Sequence, residues 1–173
     1  FDNDPRRVSD RIACYALYID PPLGRVGMTE IEARAALAQG RKVLQAKMPM
    51  QRVGRARENG ETQGFMKVLV DAESQRVMGA AILGLNGDEV VHGLLDMMVA
   101  QQPYTVLSRA MHIHPTVSEL VPTLLQQLQP RLAGLEPHRR AGRNVEPHAA
   151  RLVALEGEPG IGLEEMIVAA DLH

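Results

Sequence analysis

Short stretches of alternating apolar and polar positions predict the strands of the first 130 residues. The clearest pair is 64–70 and 77–83, because each alternates between two faces and 71–75 supplies a connecting turn. The small residues Gly79 to Ala81 predict that another part of the chain packs closely against the second strand. Three further strands are predicted at 13–19, 42–47 and 51–57.

Apolar residues spaced three or four apart predict the helices. Thr29 and Glu32 form a capping box, in which the hydroxyl and the carboxylate satisfy free backbone N–H groups, and Gly40 ends the helix. Asn86 and Glu89 predict a second capping box at the start of a long helix. The predicted helices span 29–40, 86–100, 103–107 and 117–128.

The mixture of strands and helices predicts an α+β domain over residues 1–130. The composition then changes, because all five aromatic residues lie in this part, whereas residues 131–173 contain three prolines, five glycines and no lysine. We therefore place a boundary near Pro130. The tail, 131–173, has no assigned role and is expected either to form short helices, at 148–155 and 162–170, or to be disordered.

Composition narrows the classes of function. The chain has 173 residues and a formal net charge of −2, which favours a globular domain and gives no electrostatic indication of nucleic-acid binding. No apolar run is long enough to span a membrane. The single cysteine, Cys14, excludes a disulfide or a redox pair within the chain and fits a reducing compartment such as the cytoplasm. The chain begins with Phe1 and shows no signal peptide, so we expect it to be a fragment.

The candidate chemistry lies in the segment that precedes the last predicted helix. His114 is expected to be extended, because Pro115 follows it and disfavours the α region. Glu119 comes five residues later, in the first turn of the helix, where its carboxylate can turn back toward the imidazole. Such a pairing fixes the tautomer and stabilises the imidazolium, which is what a histidine general base needs.

Two other interpretations of this segment remain open. Thr116 and Glu119 also match a capping box, so the carboxylate could serve only to start the helix. Alternatively, His112 and His114 could bind a metal together with His92 or Glu89, although two histidines two residues apart are a weak signal.

Several segments of the chain resemble one protein family. His114 to Glu119 resembles the His-Pro-Thr-x-x-Glu motif of FAD-dependent pyridine nucleotide–disulfide oxidoreductases, such as dihydrolipoamide dehydrogenase, glutathione reductase and mercuric reductase. Residues 20–30 resemble the segment that opens the C-terminal dimerisation domain of that family, and 64–84 resembles its central hairpin. The resemblance covers about residues 8–130 and is greatest for the mercuric-reductase-like branch.

This resemblance implies an antiparallel β-sheet with helices packed on one face. It also implies a homodimer whose parent enzyme transfers electrons from NAD(P)H through FAD to a disulfide or a related acceptor. His114 would be the acid–base residue in the partner subunit's active site, Glu119 would orient it, and the backbone of His114 and Pro115 would approach the partner's FAD. The FAD and NAD(P) domains, with a redox-active cysteine pair, would lie elsewhere in the parent chain.

The sequence also departs from a whole enzyme of that family. It has no GxGxxG dinucleotide fingerprint and no cysteine pair, so the isolated chain is expected to bind neither cofactor and to be inactive. It lacks the C-terminal cysteine pair of mercuric reductases, which argues against mercury as the substrate. Two further functions remain open: a free-standing module that dimerises or docks on a partner without catalysis, and a metal-binding protein built on His112 and His114.

Overall fold

The computed structural model describes residues 5–131, which form an antiparallel sheet of six strands with helices. Across the sheet the strands follow the order β1-β2-β5-β4-β3-β6. The strands are β1 (Cys14–Leu17), β2 (Leu23–Gly27), β3 (Val43–Pro49), β4 (Phe65–Asp71), β5 (Val77–Leu83) and β6 (Gln129–Pro130). The helices are α1 (Glu30–Ala38), α2 (Gly54–Asn59), α3 (Gly87–Val99), α4 (Tyr104–Ser108) and α5 (Leu120–Leu125).

The main core lies between one face of the sheet and a layer of helices. Val68 and Ile82 from the central strands pack with Leu94 of α3 and Leu124 of α5, and all four are completely buried. On the opposite face, Ala33 of α1 forms a smaller cluster with Val43 and Leu69 of neighbouring strands. The predicted α+β architecture with an antiparallel sheet is confirmed, and α1 adds a helix on the second face.

Glycines allow two close approaches of the backbone to the sheet. A Cβ atom on Gly24 of β2 would lie 2.2 Å from the carbonyl oxygen of Gly87, at the start of α3. A Cβ atom on Gly79 of β5 would lie 2.2 Å from the carbonyl oxygen of Met28. The close packing predicted from the small residues of this strand is therefore confirmed at Gly79.

The central hairpin and the first capping box are confirmed. Strands β4 and β5 pair along their length with an irregularity at Leu69 and Val70. Thr29 accepts a hydrogen bond from the Glu32 amide at 3.0 Å, and the Glu32 carboxylate accepts one from the Thr29 amide at 2.7 Å. The helix that begins here ends two residues before Gly40, which has a φ of +84°.

The strand predicted at 51–57 is wrong. The structure has a 3₁₀ turn at Met50–Arg52, followed by α2, which ends at Gly60 in the left-handed conformation. Val53, which is extended and directly precedes α2, and Ala56 within α2 are both fully buried in the main core.

The ends of two predicted helices also differ from the sequence-based prediction. Asn86 precedes α3 in the left-handed conformation with a φ of +54° and makes no side-chain cap, so the predicted second capping box is wrong. α5 covers only Leu120–Leu125, whereas the predicted helix covered 117–128. The sequence analysis did not identify β2 or the two-residue β6, which pairs with β3 through Leu44 and Gln45.

The tail assigned to 131–173 lies almost wholly outside the described residues, so the predicted boundary and the tail helices stay predictions. Within residues 5–131, no helix has both the length and the apolar character that a membrane span requires.

Candidate functional site

The segment that carries the predicted site residues is the loop between α4 and α5, residues 109–119. Val117 is 2% exposed and packs in the main core, whereas Met111 and Ile113 are 100% and 81% exposed. One end of the loop is therefore anchored under the helical layer, and its tip projects into solvent.

The structure brings His114 and Glu119 together as predicted. The Nδ1 atom of His114 lies 2.8 Å from the Oε2 atom of Glu119. The imidazole side chain is 78% exposed, but the carboxylate side chain is only 16% exposed. The pair thus consists of a solvent-exposed imidazole whose Nδ1 atom is hydrogen-bonded to a largely buried carboxylate.

This geometry selects one tautomer of His114. An ionised carboxylate can only accept hydrogen bonds, so Nδ1 of His114 must carry the hydrogen in this contact. In the neutral ring the other nitrogen, Nε2, then has a free lone pair. The arrangement can accept a proton at Nε2 and release it again, while the Glu119 carboxylate stabilises the imidazolium formed in between.

One of the two hydrogen bonds of the predicted capping box at Thr116 and Glu119 is present. The Glu119 amide donates a hydrogen bond to the Thr116 hydroxyl at 3.2 Å, as a cap requires. The Thr116 hydroxyl in turn donates to the Ile113 carbonyl oxygen at 2.7 Å. The carboxylate of Glu119 hydrogen-bonds to His114. Thr116 therefore stabilises the turn, whereas the carboxylate orients the imidazole.

The metal interpretation finds no support in the described part of the chain. Within residues 5–131, no three side chains of the metal-ligating types come together in a way that could hold an ion. The Nδ1 atom of His112 instead lies 2.8 Å from the carbonyl oxygen of Ser118. His92 and Glu89 are on α3 and do not join His112 and His114 in such a group.

An open pocket of about 320 Å³ lies beside this loop. It is bounded by α2, by the start of α3 and by the outer side of the turn that follows His114. The lining residues are Arg55, Asn86, Glu89, Val90, Pro115, Thr116, Val117 and Ser118.

Sequence reasoning missed a cluster of charged side chains that joins distant parts of the fold. Glu30, in the first turn of α1, forms ion pairs with Lys67 of β4 and with Arg131, the residue after β6. Burial opposes ionisation of Glu30, but hydrogen bonds from Arg131 and Lys67 outweigh it and lower the pKa of its carboxyl to about 2. The pairing of β3 with β6 places Arg131 near Glu30, and the packing of α1 on the sheet places Lys67 there, so periodicity along the chain gave no signal for this cluster.

The described residues offer a limited surface to a flavin or nicotinamide cofactor. His114 and Pro115 are both exposed residues, so a group from another subunit can approach them. The 173 residues contain no GxGxxG segment that could cradle a pyrophosphate. The sequence therefore has no pyrophosphate-binding segment of this type, and His114 and Pro115 are the exposed residues that would contact a cofactor held by another domain.

Comparison with known proteins agrees with this fold. The structure is similar to the HOCl-induced flavoprotein disulfide reductase RclA from Escherichia coli, with a TM-score of 0.67 and 33% sequence identity over 72% of this chain and 28% of that one. It is also similar to LpdA from Mycobacterium tuberculosis, with a TM-score of 0.61, 71% of this chain and 26% of that one covered, and 15% identity, which supports the fold alone.

Sequence comparison points the same way. The probable pyridine nucleotide-disulfide oxidoreductase RclA of Escherichia coli strain K12 is 35% identical over 105 residues, which is 61% of this chain and 23% of that protein. Dihydrolipoyl dehydrogenase 2 of Haloarcula marismortui is 35% identical over 106 residues, which is 61% of this chain and 22% of that protein. The chain thus spans under a quarter of the length of these relatives.

The extent of the family match decides the assignment. The family model described as the pyridine nucleotide-disulphide oxidoreductase dimerisation domain matches residues 14–125, which is more than half of the chain. These residues contain all the strands except β6, and they include the His114–Glu119 pair. The chain therefore belongs to the dimerisation-domain family of the pyridine nucleotide-disulphide oxidoreductases.

Proposed function

We propose that this chain is the dimerisation domain of an FAD-dependent oxidoreductase that passes electrons from NAD(P)H to a disulfide or a related acceptor. In this proposal the FAD and NAD(P) domains belong to the same parent protein, because the chain spans under a quarter of its relatives. The domain forms a homodimer and supplies His114 and Glu119 to the active site of the partner subunit. The 173 residues alone bind neither cofactor and are inactive.

One observation carries the proposal: the exposed imidazole of His114 is hydrogen-bonded at 2.8 Å to the largely buried carboxylate of Glu119. A carboxylate that is largely removed from water and paired with a histidine is a common arrangement for acid–base chemistry. The chain holds a single cysteine, so the thiols on which His114 acts must come from outside it. An acid–base pair presented without its own substrate thiols fits a site shared between subunits.

The exposed apolar side chains around His114 support the homodimer. Met111 and Ile113 precede it on the same loop and are 100% and 81% exposed. Large apolar side chains clustered at a projecting tip are typical of surfaces that become buried on association. The loop that carries the imidazole is thus well suited to enter another subunit.

The proposed mechanism assigns one proton-transfer role to each side chain. Nε2 of His114 takes the proton from a cysteine thiol, whose thiolate attacks the acceptor disulfide, and gives it to the thiolate released when that disulfide breaks. Glu119 holds Nδ1 of His114 and offsets the positive charge while the ring carries two protons. FAD, when bound in the parent enzyme, supplies the electron transfer between NAD(P)H and the disulfide. In this proposal the backbone of His114 and Pro115, both exposed residues, approaches the flavin.

The test replaces His114 by alanine in the parent flavoenzyme. We expect turnover with NAD(P)H and a disulfide to fall by about 10²- to 10⁴-fold, the usual contribution of a general acid–base group. The flavin absorbance should be unchanged, because the side chain does not hold the cofactor. His92→Ala is the control, since His92 is an exposed histidine on α3. Wild-type turnover in His114→Ala would refute the catalytic role.

The exposed tip of the loop also favours a second function. Met111 and Ile113 would serve equally well in a free-standing module that dimerises or docks on a partner without catalysis. The mass of the native polypeptide, measured with an antibody raised against this chain, separates the two. A band of more than twice 19.0 kDa supports the flavoenzyme, whereas a band at 19.0 kDa supports the module.

A further inference from the structure

Two hydrogen bonds join the two arms of the loop that carries the proposed acid–base pair. One arm is residues 112–114 and the other is residues 118–119. Nδ1 of His112 lies 2.8 Å from the carbonyl oxygen of Ser118, and Nδ1 of His114 lies 2.8 Å from Oε2 of Glu119. His112 is two residues before His114, and Ser118 directly precedes Glu119. The His112–Ser118 hydrogen bond therefore fixes the distance between the two arms close to the His114–Glu119 hydrogen bond.

We propose that His112 is a positioning residue for the pair. Its hydrogen bond to Ser118 holds Glu119 opposite His114 and so keeps the hydrogen of His114 on Nδ1. This inference rests on the proposed function, because it gives His112 a role in the same acid–base chemistry. His112 itself does not touch the substrate or transfer a proton.

The protonation of His112 follows from its partner. A carbonyl oxygen only accepts hydrogen bonds, so Nδ1 of His112 must carry a hydrogen. This contact is available to the neutral ring as well as to the charged ring. The hydrogen bond to Ser118 therefore does not depend on a change in the charge of His112.

Exposure explains why His114 needs this support. Its side chain is 78% exposed, so packing alone does little to restrict its rotation. The other tie across the loop is the hydroxyl of Thr116, which contacts Ile113 and the Glu119 amide. The contacts of Thr116 lie within residues 113–119, whereas the contact of His112 with Ser118 begins one residue earlier and forms the outer tie. Without the outer tie, the two arms can move apart and the His114–Glu119 contact is made for a smaller fraction of the time.

The first experiment reads the ring tautomers directly in the 173-residue chain. Long-range ¹H–¹⁵N spectra of histidine rings distinguish a protonated from an unprotonated ring nitrogen. In the wild-type chain we expect the hydrogen on Nδ1 in both His112 and His114. In His112→Ala we expect His114 to lose this preference and to populate the tautomer with the hydrogen on Nε2.

The choice of variants separates a specific hydrogen bond from the mere presence of a side chain. His112→Asn keeps an amide N–H close to the position of Nδ1, so it should restore the wild-type tautomer of His114. His112→Leu fills the space without a donor and should behave like His112→Ala, which also covers an alanine variant that does not fold. His92→Ala is the matched control, because it removes an exposed histidine outside this loop. An unchanged His114 tautomer in His112→Leu would overturn the proposal.

The second experiment measures turnover in the parent flavoenzyme. We expect His112→Ala to lower kcat by about threefold to tenfold, the effect of losing one orienting hydrogen bond, with little change in KM. His112→Asn should recover most of this loss, whereas an Asn variant as slow as the Ala variant would contradict the positioning role.

The two proposals fail in different ways. If His114→Ala leaves turnover unchanged, the catalytic function is wrong, but the effect of His112 on the His114 tautomer can still be seen. If His114→Ala abolishes turnover and the His112 variants change neither the tautomer nor kcat, the positioning role alone is wrong.

Discussion

The charge cluster around Glu30 makes the stability of this domain dependent on pH in the acid range. The pKa of Glu30 is about 2 in the folded chain, against an ordinary value of 4.5. A carboxyl whose pKa is lowered by folding stabilises the folded state above its unfolded pKa, and the contribution disappears as the pH falls through the folded pKa. The stabilisation is therefore complete above about pH 5 and is lost between about pH 4.5 and pH 2.

The size of this stabilisation follows from the pKa shift of Glu30 and from the solvent exposure of its ion pairs. A pKa lowered from 4.5 to about 2 corresponds to about 3 kcal/mol. The Glu30 side chain is 16% exposed, and Arg34, which pairs with it at 3.4 Å, is 48% exposed. Solvent screens part of the interaction, so we expect Glu30→Gln to lower the free energy of unfolding at pH 7 by about 1–2 kcal/mol.

The assay is urea denaturation of the 173-residue chain at a series of pH values between 7 and 2. Far-ultraviolet circular dichroism is the suitable probe, because the sequence contains no tryptophan. The quantity of interest is the difference between wild type and Glu30→Gln, since other carboxyls such as Asp71 also titrate in this range. Glu58→Gln is the control, because its contact with Arg55 is exposed on both sides and is expected to contribute under about 0.5 kcal/mol.

We expect the difference in free energy of unfolding between wild type and Glu30→Gln to decrease toward zero as the pH falls from about 4.5 to 2. A difference that stays constant over this range would show that the loss in Glu30→Gln comes from packing and not from the carboxylate charge. Equal stability of the two proteins at pH 7 would show that the ion pairs to Lys67 and Arg131 contribute nothing net.

Two further predictions concern the packing of α3 and the acid–base pair. Gly24→Ala should lower the free energy of unfolding by about 1–3 kcal/mol, because its Cβ would lie 2.2 Å from the Gly87 carbonyl oxygen. Gly93→Ala is the matched control: it has open space around it within α3 and should stabilise by about 0.5–1 kcal/mol, so equal effects of the two variants in urea denaturation would contradict the close contact. Glu119→Gln in the parent flavoenzyme should lower kcat by about tenfold, less than His114→Ala, because a neutral amide still accepts from Nδ1 but does not offset the imidazolium charge. A steady-state assay in which Glu119→Gln matches wild type would show that the carboxylate charge plays no part.

Local chemistry explains which parts of the fold could be predicted from the sequence. The capping box at Thr29 and the hairpin β4–β5 depend on residues close together in the chain, so their signals are complete in a short window. The pairing of His114 with Glu119 is of the same kind, because only four residues, one of them a proline, lie between them. Each of these predictions is confirmed in the structure.

Other features depended on partners that are distant in sequence. The segment that forms α2 was predicted as a strand, and the helix packs Ala56 into the main core, which is built from residues distant in sequence. Asn86 adopts a left-handed conformation at the start of α3, in place of the predicted cap, where Gly87 crosses β2 at Gly24. The strand β6 is only two residues long and forms by pairing with β3.

The sequence by itself determined the α+β class and the pairing of His114 with Glu119, because these depend on periodicity and on residues close together along the chain. The family resemblance was carried by short motifs. Only the tertiary structure decided that the His114 imidazole is exposed while the Glu119 carboxylate is largely buried, because exposure depends on how α5 and Val117 pack against the sheet. It alone also joined Glu30 to Lys67 and Arg131. Arg131 is 101 residues from Glu30 along the chain, and the order of strands in the sheet brings them into contact.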